Sequence, residues 1–583
     1  MSIGAKELHW LDYSVFVFSL CLSIGTGVLH AIKSRLNRKS TISQKEEYVM
    51  GGRTMPSLPV ALSLLTTFLS GILMLGVPAE VYLRGTEIWL NFVAGAISSV
   101  VTAVVFLPVF YKMKMTCVHE YFIQRYDSLV LRRVFSLLFC FFTLSYMSIV
   151  IYAPSVALSQ VLSISTSFLI IIFGISTTLY TCIGGLKAVV WADSIQAIMM
   201  YAGVFAVLVV GLSQERVGGI GRVMTLSFDT QRLQQVFRTD LTLLQYNSLW
   251  INLFSGTITW LASFGVNQLA IQRYSSLPSL EQAQSIIYYT LIPFIILCSL
   301  VSSVGLVAFA FYYNCDPMES GQVNDKDHVI MHFALNILQP TPGLFGLYVS
   351  CILAATLSTL SSGMNSMATA IYEDFLRQSL DSRLSDAQVT LLTKTLTVIT
   401  GLVSTALAFT AEPLGGILRV CISVMGAVSG PMVAIFVLGF YFPRSGRFSC
   451  LVSFISSNLI MAIICVVNYL EDPYRHFYLP TNTTTEGCMG LTSHNITYRT
   501  PPSFDGHYGN PDTSFLARIS TYSYAGVGFV LMLAIAIPLS FFERPQTKET
   551  RAAHDESPPL YNSSTDKKNI SLPSPDSQLP LIS

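Results

Sequence analysis

Charge is scarce in this chain. Of its 583 residues, 11% are Asp, Glu, Lys or Arg and 52% are hydrophobic, with a mean hydropathy of +0.56. Soluble domains carry about 25% charged residues to cover their surface, so a water-facing globule of this length is excluded. Enzyme signatures are missing as well. The nine His form no H-E-x-x-H, no G-x-S-x-G occurs, and no acid pair is set within an apolar run. No catalytic residue and no enzyme activity are expected. The 11 Cys form no C-x-x-C pair. Most lie in or beside apolar runs, where burial suits them. Cys315 and Cys488 instead fall in loops read below as external, where a disulfide can persist. The net charge of +1 carries no information about nucleic acid; no nucleic-acid partner and no cofactor are expected.

Long apolar runs, by contrast, are abundant. A membrane span needs about 20 mostly apolar residues. Thirteen runs qualify, at roughly 12–32, 57–83, 88–110, 135–158, 166–184, 189–212, 247–268, 286–314, 343–375, 390–411, 413–442, 448–469 and 522–542. The chain therefore reads as an all-α polytopic membrane protein with about 13 transmembrane helices, bathed in membrane lipid. Residues 1–11 are too short, and too poor in basic residues, to make the first run a cleaved signal peptide. Placing the N-terminus outside puts most of the 34 Lys and Arg in inner loops and the C-terminus inside. Two sequons, at Asn482 and Asn495, then fall in the outer loop 470–521, which points to glycosylation at a plasma membrane. The tail 543–583 is rich in Ser, Pro and charge and reads as a disordered cytoplasmic segment.

The organisation expected is an external N-terminus, first span and inner loop over 1–56, a five-helix unit over 57–212, an outer loop over 213–246, a second five-helix unit over 247–442, and two further spans over 443–542. Each unit opens on a run interrupted by small residues: Ser70-Gly71, Gly76 and Pro78 in the first, Ser255-Gly256-Thr257 and Gly265 in the second. Interrupted helices at matching positions in two halves point to an inverted-repeat transporter. Small residues also let helices pack closely with no further role. A broken helix frees backbone carbonyls in mid-membrane, and a desolvated Na⁺ is a suitable partner for them. Residues 354–366 (AATLSTLSSGMNS) supply hydroxyls that would complete an all-oxygen shell for a hard cation, or would serve interhelical and i−4 hydrogen bonds.

At these residues the sequence resembles the sodium/solute symporter family, the group of the sodium–glucose cotransporters. The resemblance covers about residues 10–470. It rests on residues 62–82 (LSLLTTFLSGILMLGVPAEVY), 184–196 (GGLKAVVWADSIQ), 256–274 (GTITWLASFGVNQLAIQRY) and 353–374. LGVPAEVY, VFLPVFYKM, IVIYAP and FGVNQLAIQRY are similar to the branch of sodium-coupled monocarboxylate, multivitamin and iodide transporters. The resemblance implies a LeuT-type fold with a 5+5 inverted repeat and Na⁺ as coupling ion. It maps a sodium site onto the carbonyls of Thr66, Leu69 and Ala355 and the hydroxyls of Ser358 and Thr359, with Ser70 and Tyr146 near the ions. Asp193 matches an acidic residue near the inner mouth; pairing with Lys187 is its alternative. The implied substrate cavity is Phe68, Leu73, Phe92, Gly95, Trp260, Phe264 and Leu418, although each aromatic alone also fits core packing.

Three departures from the branch bear on substrate. Leu73 replaces a glutamine of the iodide carrier, Gly95 replaces a polar residue and enlarges the cavity, and Arg419 stands where the branch has glutamine. Apolar walls plus a cation suit a small organic anion such as lactate, pyruvate, a short-chain fatty acid or nicotinate. On that reading Arg419 orients the carboxylate; the other reading is an arginine snorkelling to the outer headgroups. Residues 218–223 and 365–369 look more like a carrier of biotin, pantothenate and lipoate. An iodide carrier and a sodium-gated sensor are the remaining readings.

Overall fold

The computed structural model describes residues 8–36, 43–113, 115–162, 164–323, 325–380, 383–411, 417–488 and 505–543. Among the described residues, the regular structure is helical throughout. Helix α1 (Trp10–Leu36) and the short α2 (Gln44–Met50) precede a broken span, α3 (Ser57–Phe68) and α4 (Gly71–Arg84). Helix α5 (Trp89–Val101) runs through a π turn at Thr102–Phe106 into α6 (Leu107–Lys112). After α7 (Tyr121–Tyr126) come α8 (Leu129–Leu162), α9 (Thr166–Leu212) and α10 (Gly219–Asp229). A second broken span, α11 (Leu249–Phe264) and α12 (Gln268–Tyr274), leads to α13 (Leu280–Phe311), α14 (Val329–Leu338), α15 (Leu344–Ile371) and α16 (Arg377–Leu380). The described chain closes with α17 (Asp386–Ala408), α18 (Ile417–Tyr441), α19 (Arg447–Glu471) and α20 (Tyr524–Ser540).

Among the described residues, 10 helices are long and apolar enough to cross a membrane, and the two broken pairs bring the number to 12. The thirteenth expected run is inside α9. Its 47 residues would reach about 70 Å if straight, more than twice the roughly 30 Å hydrocarbon core. It breaks at Gly185 (φ +58°, ψ −155°), so the runs 166–184 and 189–212 are its two arms. Only glycine fits there: a Cβ would lie 2.5 Å from the Tyr48 carbonyl oxygen of α2.

Both broken spans bend by 56°. The first breaks where Leu69 (φ −103°, ψ 84°) and Ser70 (φ −80°, ψ 166°) leave the helical region. The second breaks at the later of its two small-residue sites: Gly265 directly follows α11, which ends at Phe264. Ser255-Gly256-Thr257 continues as regular helix within α11, and Gly256 serves close packing, since a Cβ there would lie 2.9 Å from Asn91 Nδ2 on α5. The break comes at Val266–Asn267, where the Asn267 side chain accepts the Leu269 N–H at 2.9 Å and caps α12. Two broken spans with equal bends match the interrupted helices of an inverted-repeat transporter.

Helices α10 and α14 lie in segments read from sequence as loops. At 11 and 10 residues they are too short to span, so a search for 20-residue runs passes over them. A disulfide joins Cys315, after α13, to Cys488 in the 470–521 loop. The centre of the bundle is α15, buried along nearly all of its length between α9, α3 and α8.

Candidate functional site

The break at Leu69 and Ser70 ends α3 in mid-bundle, so its last carbonyls lack intrahelical partners. Helix α15 presents its hydroxyls to this end. Ser358 Oγ donates to Thr66 Oγ1 at 2.8 Å. Thr359 Oγ1 lies 3.2 Å from the Thr67 carbonyl oxygen and 3.1 Å from that of Ala355. Thr66, Leu69, Ala355, Ser358 and Thr359 are all buried. Ser70, within the break, interacts with the Tyr146 hydroxyl of α8. The result is a compact group of neutral hydroxyl and carbonyl oxygens, which suits a hard monovalent cation and disfavours softer metals.

Asp193 on α9 stands beside this group, and the alternative pairing with Lys187 does not form. Lys187 pairs with Glu47 at 2.9 Å. Asp193 Oδ2 instead receives the Ser63 hydroxyl at 2.6 Å and Arg273 Nη2 at 3.2 Å. Arg273 of α12 is 1% exposed. Its Nε donates to Ser63 Oγ at 2.9 Å, its Nη1 to the Leu269 carbonyl at 2.8 Å, and its Nη2 also to Ser362 Oγ. Ser362 in turn meets Thr67 Oγ1 at 3.1 Å. Ser63, Thr67, Arg273 and Ser362 thus complete a polar network across α3, α9, α12 and α15 that was missed. All four lie within the segments carrying the family resemblance, but nothing local shows that they meet.

The expected cavity walls form an aromatic group. Phe68 meets Phe264 edge-on at 5.3 Å between centroids, Trp260 stacks on Phe264 at 5.5 Å, and Phe92 lies 6.3 Å from Trp260. The Trp260 Nε1–H donates to Asn91 Oδ1 at 2.8 Å. Gly95 does not enlarge the space as expected. Phe294 and Trp260 fill it, and a Cβ at Gly95 would lie 2.9 Å from Phe294 Cε1 and 3.2 Å from Trp260 Cδ2. Leu73 is half-buried against the core. Leu418 packs over Gly76 and lines a cleft with Ile72, Leu75, Ala153, Asp327 and His328.

Arg419 also departs from expectation. Its Nη1 pairs with Asp472, and its Nη2 donates to the Asn468 carbonyl at 3.1 Å and to Asn468 Oδ1 at 2.7 Å. These contacts clamp α18 to the end of α19. Glu412, on the same face by sequence, lies outside the described residues. Hydrogen bonds to a charged group contribute about 1.5–3 kcal/mol. Arg419→Gln is therefore expected to lower the melting temperature in detergent while shifting the substrate half-saturation constant by less than about twofold, under 0.5 kcal/mol. A tenfold rise in that constant with unchanged melting would return the guanidinium to the substrate.

The sequence matches the sodium:solute symporter family over residues 48–456. The chain belongs to the sodium:solute symporter family. Among relatives of the symporter, "Sodium-coupled monocarboxylate transporter 2" of Bos taurus is 33% identical over 538 residues, covering 92% of this chain and 84% of that one. The Danio rerio protein of the same name is 35% identical over 545 residues, 92% of this chain and 84% of its own. "Sodium-dependent multivitamin transporter" of Oryctolagus cuniculus is 35% identical over 454 residues, 78% of this chain and 69% of its own. Among solved structures, a Na⁺-coupled sialic acid symporter in a substrate-bound, outward-open state superposes with a TM-score of 0.74 at 19% identity, covering 93% of this chain and all of that one. That likeness establishes the LeuT-type fold. The protein is a multi-pass membrane symporter, not an enzyme, and Na⁺ is its coupling ion.

Proposed function

We propose that the symporter imports small monocarboxylates, such as lactate, pyruvate, short-chain fatty acids and nicotinate, together with Na⁺ across the plasma membrane. The observation that carries this reading is the similarity to sodium-coupled monocarboxylate transporters along 92–93% of the chain. The oxygen group of Thr66, Leu69, Ala355, Ser358 and Thr359 takes the Na⁺, with Ser70 and Tyr146 beside it and Asp193 on the inner side. The walls of Phe68, Phe92, Trp260 and Phe264, with Leu73 and Leu418, favour a substrate with an apolar body. The multivitamin relative, 35% identical over a shorter length, supports a second reading, transport of biotin, pantothenate or lipoate.

Uptake of labelled lactate, butyrate, nicotinate, biotin and pantothenate, with Na⁺ replaced by choline, separates the two. Na⁺-dependent uptake of the first three is expected. Uptake confined to the vitamins overturns the monocarboxylate reading, and uptake equal in choline overturns the coupling. Under voltage clamp, each net charge moved gains about 2.3 kcal/mol per 100 mV. A substrate-evoked inward current is expected if more than one Na⁺ accompanies each monoanion.

The same reading places the N-terminus and the 470–521 loop outside the cell and the 543–583 tail inside. Asn482 is exposed; Asn495 lies outside the described residues. Glycosidase is expected to shift the wild-type band but not that of the Asn482→Gln/Asn495→Gln double variant. A shift that survives in the double variant rules out these sites.

A further inference from the structure

Outside the ion and substrate region, one cluster brings together three different metal-binding side chains. Cys117 and His119 lie in the turn between α6 and α7, and Asp374 lies in the π turn Tyr372–Leu376 that ends α15. Cys117 Sγ is 3.3 Å from His119 Nδ1 and 3.5 Å from Asp374 Oδ2, and Nδ1 is 2.5 Å from Oδ2. All three side chains are enclosed, Cys117 and His119 at 0% exposure. We propose that Cys117, His119 and Asp374 form a binding site for Zn²⁺ at this end of the helix bundle.

The donor spacing supports it. Zinc takes thiolate sulfur at about 2.3 Å and imidazole nitrogen or carboxylate oxygen at about 2.0–2.2 Å in a tetrahedral shell. That geometry sets the S···N and S···O separations near 3.6 Å and the N···O separation near 3.3 Å. The Cys117–Asp374 distance of 3.5 Å already matches, and the Cys117–His119 distance of 3.3 Å has to lengthen by about 0.3 Å. The His119–Asp374 pair has to open by about 0.8 Å, which exchanges a short hydrogen bond for two metal bonds. A thiolate, an imidazole and a carboxylate are the mixed, borderline-soft set that favours Zn²⁺ over Na⁺, Mg²⁺ or Ca²⁺.

The surroundings hold the donors in place. Arg132 Nε binds Asp374 Oδ1 at 2.6 Å, and its Nη2 binds the Glu373 carbonyl at 3.0 Å. This fixes the carboxylate so that its other oxygen, Oδ2, faces Cys117 and His119, the outer-shell orientation that metal ligands require. Phe135 and Phe139 flank the imidazole at 5.2 and 5.4 Å. The far nitrogen, His119 Nε2, is buried with no hydrogen-bond partner among the described residues, so packing between the two phenyl rings is what orients the imidazole. The Arg132 charge opposes a cation, and its ion pair with Asp374 Oδ1 neutralises much of that charge. Zn²⁺ binding releases the Cys117 thiol proton to water, and His119 binds as neutral imidazole through Nδ1 with its ring proton on Nε2. Three protein donors leave a fourth position for a small ligand. Because the donors come from the α6–α7 turn and the end of α15, bound metal fastens these two segments together.

The test uses the full-length protein in detergent, equilibrated with Zn²⁺, desalted and analysed by elemental mass spectrometry, with a parallel Co²⁺ titration. One Zn²⁺ per chain is expected in the wild type. Cys117→Ser and His119→Gln are each expected to weaken binding at least tenfold, and the thiolate-to-cobalt absorption band of the wild type is expected to vanish in Cys117→Ser. Size-exclusion profile and Na⁺-dependent uptake check that both variants fold; Asp374→Asn is avoided because it strips Arg132 of its partner. Equal Zn²⁺ affinity in the wild type and both variants overturns the proposal. So does a wild type that takes up no Zn²⁺ and shows no thiolate band, a result that stands even if a variant misfolds.

Discussion

Arg273→Met is expected to destabilise the symporter by about 3–5 kcal/mol, the usual cost of removing one partner of a buried ion pair. The guanidinium is 1% exposed and binds Asp193, Ser63, Ser362 and the Leu269 carbonyl. Its loss strands the Asp193 carboxylate, itself 0% exposed, among hydroxyls too few to replace a cation. The double variant Asp193→Asn/Arg273→Met removes both charges and is expected to recover much of the loss, because the single-variant penalty is mainly the uncompensated charge. Arg273→Lys keeps the charge but not the planar fork, and should fall between. Melting in detergent and surface expression measure the series. If the double variant is no more stable than Arg273→Met, the pair is not what holds α3, α9, α12 and α15 together here.

Ser358→Ala and Thr359→Ala are each expected to raise the Na⁺ concentration for half-maximal uptake about tenfold, equivalent to about 1.4 kcal/mol. Each change removes one oxygen from a shell that has few. A lost polar interaction in a buried site costs about 1–3 kcal/mol. Ser358 Oγ touches Thr66 Oγ1, and Thr359 Oγ1 lies among the carbonyls of Thr67 and Ala355, so both substitutions act at the end of the broken helix. Ser350→Ala is the control. Its hydroxyl bonds back to the Gly346 carbonyl within α15, and its Na⁺ dependence should not change. Unaltered Na⁺ dependence in both Ser358→Ala and Thr359→Ala, at normal surface expression, would remove the ion from this site.

What the sequence determined by itself lies within one helix or one turn. Run length and apolar composition located the candidate spans among the described residues, because a bilayer of fixed thickness demands about 20 apolar residues wherever the chain crosses it. Ser70-Gly71 marked the first broken helix, and the density of hydroxyls over 354–366 marked the face of α15 that meets it. The quoted motifs were enough for the family. What only the tertiary structure decided are partnerships between distant segments. Asp193 meets Arg273, 80 positions on, and not Lys187, six positions back. Arg419 meets Asp472 across 53 positions, and Cys117 meets Asp374 across 257. The room at Gly95 is taken by Phe294 and Trp260, and of the two small-residue sites in the second broken span Ser255-Gly256-Thr257 packs helices while the bend follows Gly265. Sequence periodicity specifies which face of a helix is apolar or polar, but the neighbour that face meets depends on the rotation and register of helices packed from far apart in the chain. In an interior that excludes water, a buried charge can be satisfied only by such a neighbour, so its partner is known only once the helices are docked.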